Sequence, residues 1–298
     1  MEELSTAQLE YLLIDDWQAC PNAEIIDRAL LSLESGQVLF FPHLGFTVQG
    51  PEKTLFNPEI CHHTRKNVSY DLVQNKLGKI RGAPHTQDLL CMMMQRYAKE
   101  SHAFIQRLFP YYADYLEIGR TSFRPVEIKD RRILSVKKDD QRLHVDAFPA
   151  TPMRERRIIR LFTNVNPTLG ARIWRVGEHF TKVVGRFMPD IKPPRRGLAS
   201  LLRALRITRG KRSEYDHYML HLHNGMKKDD HYQQTVNQQT IHFPTGSSWI
   251  VYTDAVSHAA MGGQYVLEQT FYLPVDKMRQ RELAPLSILE QFCQRPLL

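Results

Sequence analysis

The sequence is poor in cysteine and has no long uninterrupted apolar run. Its 298 residues include four cysteines, which show neither the paired spacing of a metal site nor the pattern of a disulfide framework. No stretch approaches the run of about 18 apolar residues that marks a membrane-spanning helix. The acidic start of the chain lacks the basic and apolar regions of a signal peptide. These absences argue against a disulfide scaffold and a membrane span, and they predict a protein of the reducing cytoplasm.

Acidic residues are missing from one segment of an otherwise balanced chain. The formal net charge is +8, and residues 192–212 contain eight Lys or Arg and no Asp or Glu, so this segment accounts for the whole excess. Leu198, Leu201, Leu202 and Leu205 within it follow helical spacing and form one apolar stripe. Such a basic amphipathic helix predicts contact with an anionic membrane surface, and the alternative is a surface helix that packs its leucines on the protein.

A His-x-Asp motif carries the first indication of chemistry. His144 and Asp146 lie two residues apart in an extended segment, so both side chains project from one face. His258 follows an apolar, aromatic strand pattern and precedes a Gly-Gly bend. Two histidines and one carboxylate form the facial triad of non-haem Fe(II) oxygenases, which leaves positions open for a cosubstrate and dioxygen. We therefore predict an iron site at His144, Asp146 and His258, which a jelly-roll barrel would bring together at its mouth.

Strand and helix patterns alternate along the rest of the chain. Alternating or continuous apolar runs predict strands at 37–41, 115–129, 156–167, 171–177 and 265–273. Helical spacing predicts helices at 6–13, 22–33, 85–108, 178–186, 214–230 and 283–292, the second with Asn22 as its N-cap. A run of methionines at 92–94 is interpreted as core packing. His221, His223 and His231 form a weaker metal candidate, because histidines two apart diverge on a helix and no carboxylate completes them.

Arginines within the strand patterns predict an anionic ligand. Arg160 lies in a strand so apolar that an anion is needed to offset its burial. If the triad holds iron, 2-oxoglutarate would supply that anion, since it chelates iron through its 2-oxo acid end and leaves its far carboxylate for a cation. Arg120, Ser122 and Arg124 alternate along an earlier strand, where they form either a solvated face or a basic wall for an anionic substrate.

Several joined motifs resemble the Kdo 3-hydroxylase family of bacterial Fe(II)/2-oxoglutarate dioxygenases, which act on the inner-core sugar of lipopolysaccharide. The motifs lie in one order and span roughly residues 120 to 274. They are Thr-Ser-Phe-Arg-Pro at 121–125, Leu-His-Val-Asp-Ala-Phe-Pro at 143–149, the strand at 157–167, Arg-Ile-Trp-Arg-Val-Gly-Glu at 172–178 and the block at 254–263.

The resemblance implies an α+β fold with a double-stranded β-helix (jelly-roll) core and flanking helices. We expect one domain over 1–298, with an N-terminal helical and mixed part to about 110, the core over about 111–275 and a basic helical insertion over about 178–237. Iron would be held by His144, Asp146 and His258. The reaction implied is hydroxylation at C3 of the outer Kdo of Kdo2-lipid A or its precursor, with O2 consumed, succinate and CO2 released, and ascorbate present in assays. The place implied is the cytoplasmic face of the inner membrane, with peripheral attachment.

One position departs from the commoner 2-oxoglutarate enzymes. Many of them place an arginine on the strand that follows the distal histidine, but here that position is Glu268. The cation for the far carboxylate must therefore come from elsewhere. Arg160 is the first candidate and Arg124 the second, and Asn164, on the face of Arg160, is predicted to bond an inner carboxylate oxygen.

Two other functions remain open from the sequence. A related 2-oxoglutarate hydroxylase could act on a protein side chain or a nucleic-acid base, and its basic segment would then give strongly salt-dependent binding. A metal-free jelly-roll protein could instead bind an anionic sugar without chemistry. A hydroxylase consumes 2-oxoglutarate when its acceptor is present, whereas the binding protein does not, so this measurement distinguishes the two functions. No nucleic-acid partner is expected under the preferred hypothesis, and the sequence does not fix the oligomeric state.

Overall fold

The computed structural model describes residues 8–62, 65–131, 135–195 and 197–298. Over these ranges the chain has a mixed α/β fold built on two sheets. The strands are β1 (Leu9–Tyr11), β2 (Val38–Phe41), β3 (Val68–Asp71), β4 (Lys76–Leu77), β5 (Glu117–Arg124), β6 (Arg156–Asn164), β7 (Arg172–Val176), β8 (Gln239–Phe243), β9 (Ser248–Tyr252), β10 (His258–Gly262) and β11 (Val266–Pro274). The seven α-helices of the described residues are α1 (Ala23–Glu34), α2 (Pro84–Leu108), α3 (Phe180–Phe187), α4 (Leu198–Ala204), α5 (Glu214–Lys228), α6 (Asp230–Thr235) and α7 (Pro285–Cys293).

The large sheet has eight strands in the order β1-β2-β9-β6-β11-β5-β3-β4, and the small sheet has the order β10-β7-β8. All pairs are antiparallel except β1 with β2. Aromatic side chains join the two sheets: Phe162 of the large sheet lies 5.0 Å from Trp174 of the small one, and Phe243 stacks on Trp249 at 4.0 Å between ring centroids. The inner faces of the two sheets therefore pack against each other.

Alternation along β6 decides what each face contacts. Ile159 and Leu161 are fully buried in a cluster that also holds side chains of α1 and α2, whereas Phe162 belongs to the cluster shared with the small sheet. Because successive side chains of a strand point to opposite faces, β6 separates a helix-covered outer layer from an inner layer. Arg160 has the parity of Phe162 and so lies on the inner side.

In the N-terminal region, one of the two predicted helices is present and the other is replaced by a strand. The side chain of Asn22 accepts a hydrogen bond from Ile25 N at 2.9 Å, as an N-cap does, and α1 begins at the next residue. The helix expected at 6–13 is wrong over its described residues, because Leu9–Tyr11 is a strand that pairs with β2. Short apolar patterns do not separate helix from strand, and the free edge of β2 decided the outcome. Residues 6 and 7 lie outside the described ranges.

Two further expectations concern α2 and membrane helices. Met93 and Met94 are buried in the core while Met92 is exposed, so core packing is confirmed for two of the three methionines. No helix among the described residues is both long and apolar enough to cross a bilayer.

Four helices, α3 to α6, occupy the chain between β7 and β8. The Ser213 and Asp216 side chains form a capping box at the start of α5. One face of α5 is buried through Tyr215, Met219 and Leu222. Packing of this face fixes α5 over the segment that carries the His-x-Asp motif, as the contacts described below show.

Candidate active site

The backbone brings the three predicted ligands together. His144 and His258 form an antiparallel bridge in which each amide donates to the other residue's carbonyl, at 3.0 and 2.9 Å. The amide of Asp146 donates to Thr253 O at 2.7 Å, which ties the motif to the loop before β10. Candidate ligand atoms of His144, Asp146 and His258 all lie within 4.8 Å of one another. Three side chains far apart in sequence thus converge on one point.

Hydrogen bonds fix the orientation of both imidazoles. His144 Nδ1 lies 2.7 Å from Arg142 O, and His258 Nδ1 lies 2.8 Å from Val256 O. A carbonyl only accepts, so each Nδ1 carries the proton, and each Nε2 presents a lone pair when the ring is neutral. Trp174 stacks on the His258 ring at 5.0 Å between centroids. This is the arrangement by which proteins orient metal-binding histidines.

Electrostatics favour the metal-binding protonation states. Burial lowers the pKa of His144 well below its ordinary value, and the nearby His258 and Lys227 add to this effect. Burial also lowers the pKa of His258, although Asp146 opposes the change. Burial would raise the pKa of Asp146, but Arg160 and the two imidazoles outweigh it and hold that pKa well below its usual range. The set is two neutral imidazoles and one carboxylate.

The donor set fits a transition-metal ion. The Oδ2 atom of Asp146 is buried without a hydrogen bond, although it lies 2.9 Å from Arg160 Nη2. Two Nε2 lone pairs and one carboxylate give the ligands of a facial iron site.

A cleft of about 1570 Å³ opens at the triad. Of the described residues that line it, thirteen are Lys or Arg and eight are Asp or Glu, so its wall is cationic. Arg120 and Arg124 both belong to this lining, as a basic wall requires. Such a wall favours an anionic ligand.

Glu268 lies between two arginines of the cleft. Its Oε2 accepts from Arg124 Nε at 2.8 Å, and its Oε1 accepts from Arg160 Nη1 at 2.7 Å. Because Arg160 also contacts Asp146, both of its carboxylate partners come from the protein itself. Glu268, which stands where other 2-oxoglutarate enzymes have an arginine, therefore neutralises Arg160 and Arg124, the two residues predicted to bind the far carboxylate.

Asn164 has a different surrounding. Its Nδ2 donates to Gly170 O at 2.9 Å and to Phe243 O at 3.0 Å, and its Oδ1 accepts from Asn166 N at 3.0 Å. It is not among the residues that line the cleft. The three bonds hold the turn after β6.

Sequence reasoning missed Arg172 as a site residue. It lines the cleft on β7, two residues before Trp174, and is 3 % exposed. Its Nη1 donates to Gly263 O at 2.8 Å, its Nε has no partner, and no carboxylate of the described residues lies within 4.0 Å of it. Burial, reinforced by Arg131 and Arg124, lowers its pKa well below the ordinary value. Arg172, like Arg160, is a cation in an apolar strand, and this pattern was the signal that could have identified it.

Helix α5 brings two further residues to the site: His223, which the sequence offered only as part of the weaker metal candidate, and Lys227, which it did not indicate. His223 Nδ1 lies 2.8 Å from Val145 O, and its ring meets that of His144 edge to face at 5.1 Å between centroids. Lys227, one turn further along, also lines the cleft. The weaker metal candidate does not form, since the metal-compatible cluster among the described residues is His144, Asp146 and His258.

A two-histidine, one-carboxylate centre with neutral imidazoles at the floor of a cationic cleft defines a site of the non-haem iron oxygenase class. Comparison with family models then gives the family. The model described as 3-deoxy-D-manno-oct-2-ulosonic acid (Kdo) hydroxylase matches residues 16–296. The chain belongs to the Kdo hydroxylase family, which confirms the resemblance seen in the sequence.

Solved structures of the Kdo hydroxylase KdoO, a non-heme Fe(II) alphaketoglutarate dependent dioxygenase, are similar over nearly the whole chain. The complex with alphaketoglutarate and Fe(III) is 43 % identical, with 97 % of each chain covered and a TM-score of 0.94. The apo structure is 44 % identical with the same coverage and TM-score. The cobalt(II) complex is 43 % identical, again with 97 % coverage of each chain and a TM-score of 0.94. Comparison with curated proteins finds no match.

Proposed function

We propose that this protein is an Fe(II)/2-oxoglutarate-dependent dioxygenase that hydroxylates C3 of the outer Kdo of Kdo2-lipid A or its precursor. Succinate and CO2 are the products of the cosubstrate. The observation that carries the proposal is the convergence of His144, Asp146 and His258 within 4.8 Å at the floor of a cationic cleft. Membership of the Kdo hydroxylase family supplies the substrate class.

His144, Asp146 and His258 would hold the iron. When bound together with 2-oxoglutarate and O2, iron supplies the oxidising power that replaces a C–H bond of the sugar with C–OH. The protein's part is to keep both imidazoles neutral and aimed by their Nδ1 bonds to Arg142 O and Val256 O. Trp174, stacked on His258, keeps that ring from rotating.

The far carboxylate of 2-oxoglutarate binds Arg172, with Arg124 beside it. Arg172 is a buried guanidinium on the strand next to β10, and among the described residues no carboxylate neutralises it. A guanidinium binds a carboxylate through two parallel hydrogen bonds, which would offset the cost of its burial. This assignment replaces Arg160 as the first candidate.

Arg160 orients the metal-binding carboxylate instead. It lies 2.9 Å from Asp146 Oδ2 and is itself held by Glu268 at 2.7 Å. A charged partner that fixes the carboxylate group is a usual means of aligning a metal ligand. Asn164, with its amide committed to the turn after β6, has a structural role in this scheme.

The two sheets correspond to a double-stranded β-helix within a single domain. Strands β5, β11, β6 and β9 are neighbours in the large sheet, and the His144–His258 bridge extends the small sheet to a fourth member beside β10, β7 and β8. Two four-stranded antiparallel sheets with this interleaved order are the arrangement expected of a jelly-roll core. Strands β1 to β4 then extend the large sheet at both edges.

The basic segment attaches the enzyme to the cytoplasmic face of an anionic membrane. Leu201, Leu205 and Ile207 are 54, 60 and 54 % exposed while Leu202 is half-buried, so most of these apolar side chains are open to a partner. Exposed Arg203 and Arg206 lie among them. Apolar side chains next to cations suit the boundary between acyl chains and anionic headgroups. Arg209 of the same segment lines the cleft, so attachment there would bring the cleft close to a lipid substrate.

The test is mass analysis of Kdo-bearing lipid A incubated with protein, Fe(II), ascorbate and 2-oxoglutarate. We expect the addition of one oxygen atom to the sugar, together with one succinate for each product. Omission of 2-oxoglutarate is the control and should give unchanged lipid. Intact lipid A with no succinate released would disprove the proposal, and succinate without oxygenated lipid would indicate another acceptor.

A further inference from the structure

Lys227 is a buried cation on the wall of the cleft. It lies on α5, is 2 % exposed, and belongs to the residues that line the cleft beside the triad. Its neighbour Lys228 on the same helix is exposed. Lysine is almost never fully buried unless it is paired, so the surroundings of Lys227 need a physical reason.

Protein groups satisfy this ammonium poorly. Its one hydrogen bond goes to Lys137 O at 3.3 Å, and among the described residues no carboxylate oxygen lies within 4.0 Å of Nζ. Asp140, the acidic residue that most raises the pKa of Lys227, is already bonded by Lys66 at 2.6 and 2.7 Å and contacted by Arg131 at 3.3 Å. An ammonium group has three N–H donors, so two of the three hydrogen bonds that Lys227 can donate are not made to the described residues. A buried charge of this kind is costly until an anion joins it.

The position of Lys227 is close to the metal ligands. His223, one turn earlier on α5, contacts the His144 ring at 5.1 Å and Val145 O at 2.8 Å. Residues four apart on a helix lie on one face, so Lys227 follows His223 toward the same side of the site. The charge of Lys227 also lowers the pKa of His144 and of His258, which places the ammonium within electrostatic reach of both.

Within the described part of the chain, the cleft therefore holds two buried cations that lack a carboxylate partner, and they lie on different elements. Arg172 belongs to β7, on the side of the site formed by His258 and Trp174. Lys227 belongs to α5, on the side formed by His144 and His223. The proposed reaction brings in the far carboxylate of 2-oxoglutarate and, closest to the reacting carbon, the acid group of the sugar that is hydroxylated.

The chemistry of the sugar matches the location of Lys227. In a 3-deoxy-oct-2-ulosonic acid the carboxylate is C1, and it is attached to C2, which is bonded to the C3 that is hydroxylated. When C3 faces the metal, the carboxylate must lie within two bonds of that carbon and hence beside the triad. The phosphates of a lipid A anchor are separated from C3 by many more bonds, so their place is not fixed beside the triad in this way.

We propose that Lys227 binds the sugar carboxylate of the substrate and so fixes which carbon faces the metal. The inference rests on the proposed function, since it takes an ulosonic acid as the substrate. It assigns the two anionic ends to separate cations, Arg172 for the cosubstrate and Lys227 for the sugar. A charge-assisted hydrogen bond to a buried carboxylate would then distinguish the acid from a neutral analogue.

The test measures binding without turnover. A soluble Kdo glycoside and its methyl ester are titrated by calorimetry into protein loaded with cobalt(II) and 2-oxoglutarate. We expect the unaltered protein to bind the acid about tenfold more tightly than the ester. Lys227→Met, which keeps the length of the side chain and removes its charge, should bind both alike, and Lys227→Arg should restore part of the preference. Lys228→Met is the matched control and should leave the preference intact.

Kinetics and stability give two further readouts. Lys227→Met should raise the KM for the Kdo lipid while the KM for 2-oxoglutarate stays unchanged, and its Tm should not fall, because an unpaired buried charge has been removed. A Lys227→Met protein that still prefers the acid to the ester overturns the inference, whatever its Tm. If the unaltered protein oxygenates no Kdo lipid, the proposed function fails instead, and that outcome is recognised before any variant is compared.

Discussion

The floor of the cleft and the basic segment at 192–212 are both rich in charge, but they are built in opposite ways. At the floor, backbone bonds hold His144 and His258 together, and each buried imidazole has a carbonyl partner. In the basic segment, cations and apolar side chains are exposed, with Leu205 60 % accessible to solvent. One region is therefore ordered around a buried point, whereas the other exposes its charges and apolar side chains to solvent.

Of the variants considered, removal of the proposed carboxylate ligand at the floor of the cleft should cause the largest loss of activity. Asp146→Asn takes away the negative charge that is proposed to bind the metal and leaves Arg160 with a single carboxylate partner. We expect product formation to fall by at least about a hundredfold. Mass analysis of the lipid product measures it, and circular dichroism checks that the fold survives. Activity near that of the unaltered enzyme would show that the floor is not a metal centre.

A smaller loss is expected from Arg172→Leu. The variant removes the cation proposed for the far carboxylate, so the KM for 2-oxoglutarate should rise about ten- to a hundredfold. Arg175→Leu on the same strand is the matched control, because Arg175 does not line the cleft and its Nη2 donates to Gln141 O at 2.8 Å. Equal KM values for the two variants would return the role to Arg124 or Arg160.

Acidification should lower the free energy of unfolding through the buried histidines at the floor of the cleft, whereas the Lys and Arg side chains of the basic segment stay charged. The pKa of His144 and that of His258 are lowered in the folded protein, so below about pH 6.5 the unfolded chain binds protons that the folded chain does not. Stability of the metal-free protein is therefore full above that pH and should fall by up to about 1.4 kcal/mol per pH unit for each imidazole as the pH decreases. Thermal unfolding between neutral and acidic pH measures this.

His258→Gln is the control for the pH experiment. It removes one of the two buried imidazoles, so the loss of stability on acidification should become shallower. An unchanged slope would mean that other histidines, such as the half-buried His179 with its lowered pKa, account for the whole effect.

The smallest effect is expected from a single cation of the basic segment. Arg203→Gln should weaken sedimentation with anionic vesicles by about 1 kcal/mol, or roughly fivefold. Vesicles of neutral lipid are the control, and both proteins should bind them equally weakly. Turnover of detergent-dispersed substrate should not change, since Arg203 does not line the cleft. Undiminished sedimentation with anionic vesicles would leave the segment without a membrane role.

Much of the site followed from short-range patterns. The His-x-Asp spacing placed two side chains on one face of an extended segment, and the strand before His258 indicated where the third would lie. The helix predicted at 6–13 is wrong over its described residues because a long-range contact decided the structure there. Its few apolar residues fit both helical and strand periodicity, and pairing with β2, which begins 27 residues after β1 ends, selected the strand.

The candidate ligands, the family and the concentration of positive charge in one segment can all be read from the amino-acid sequence, because they depend on residue type and on spacing along the chain. Which cations are free for a ligand depends on the three-dimensional structure. Arg160 meets Glu268 across 108 positions, whereas Arg172 and Lys227 meet no carboxylate of the described residues. Charge pairing depends on distances of a few ångströms between residues that are remote in the chain, and spacing in the sequence does not encode those distances.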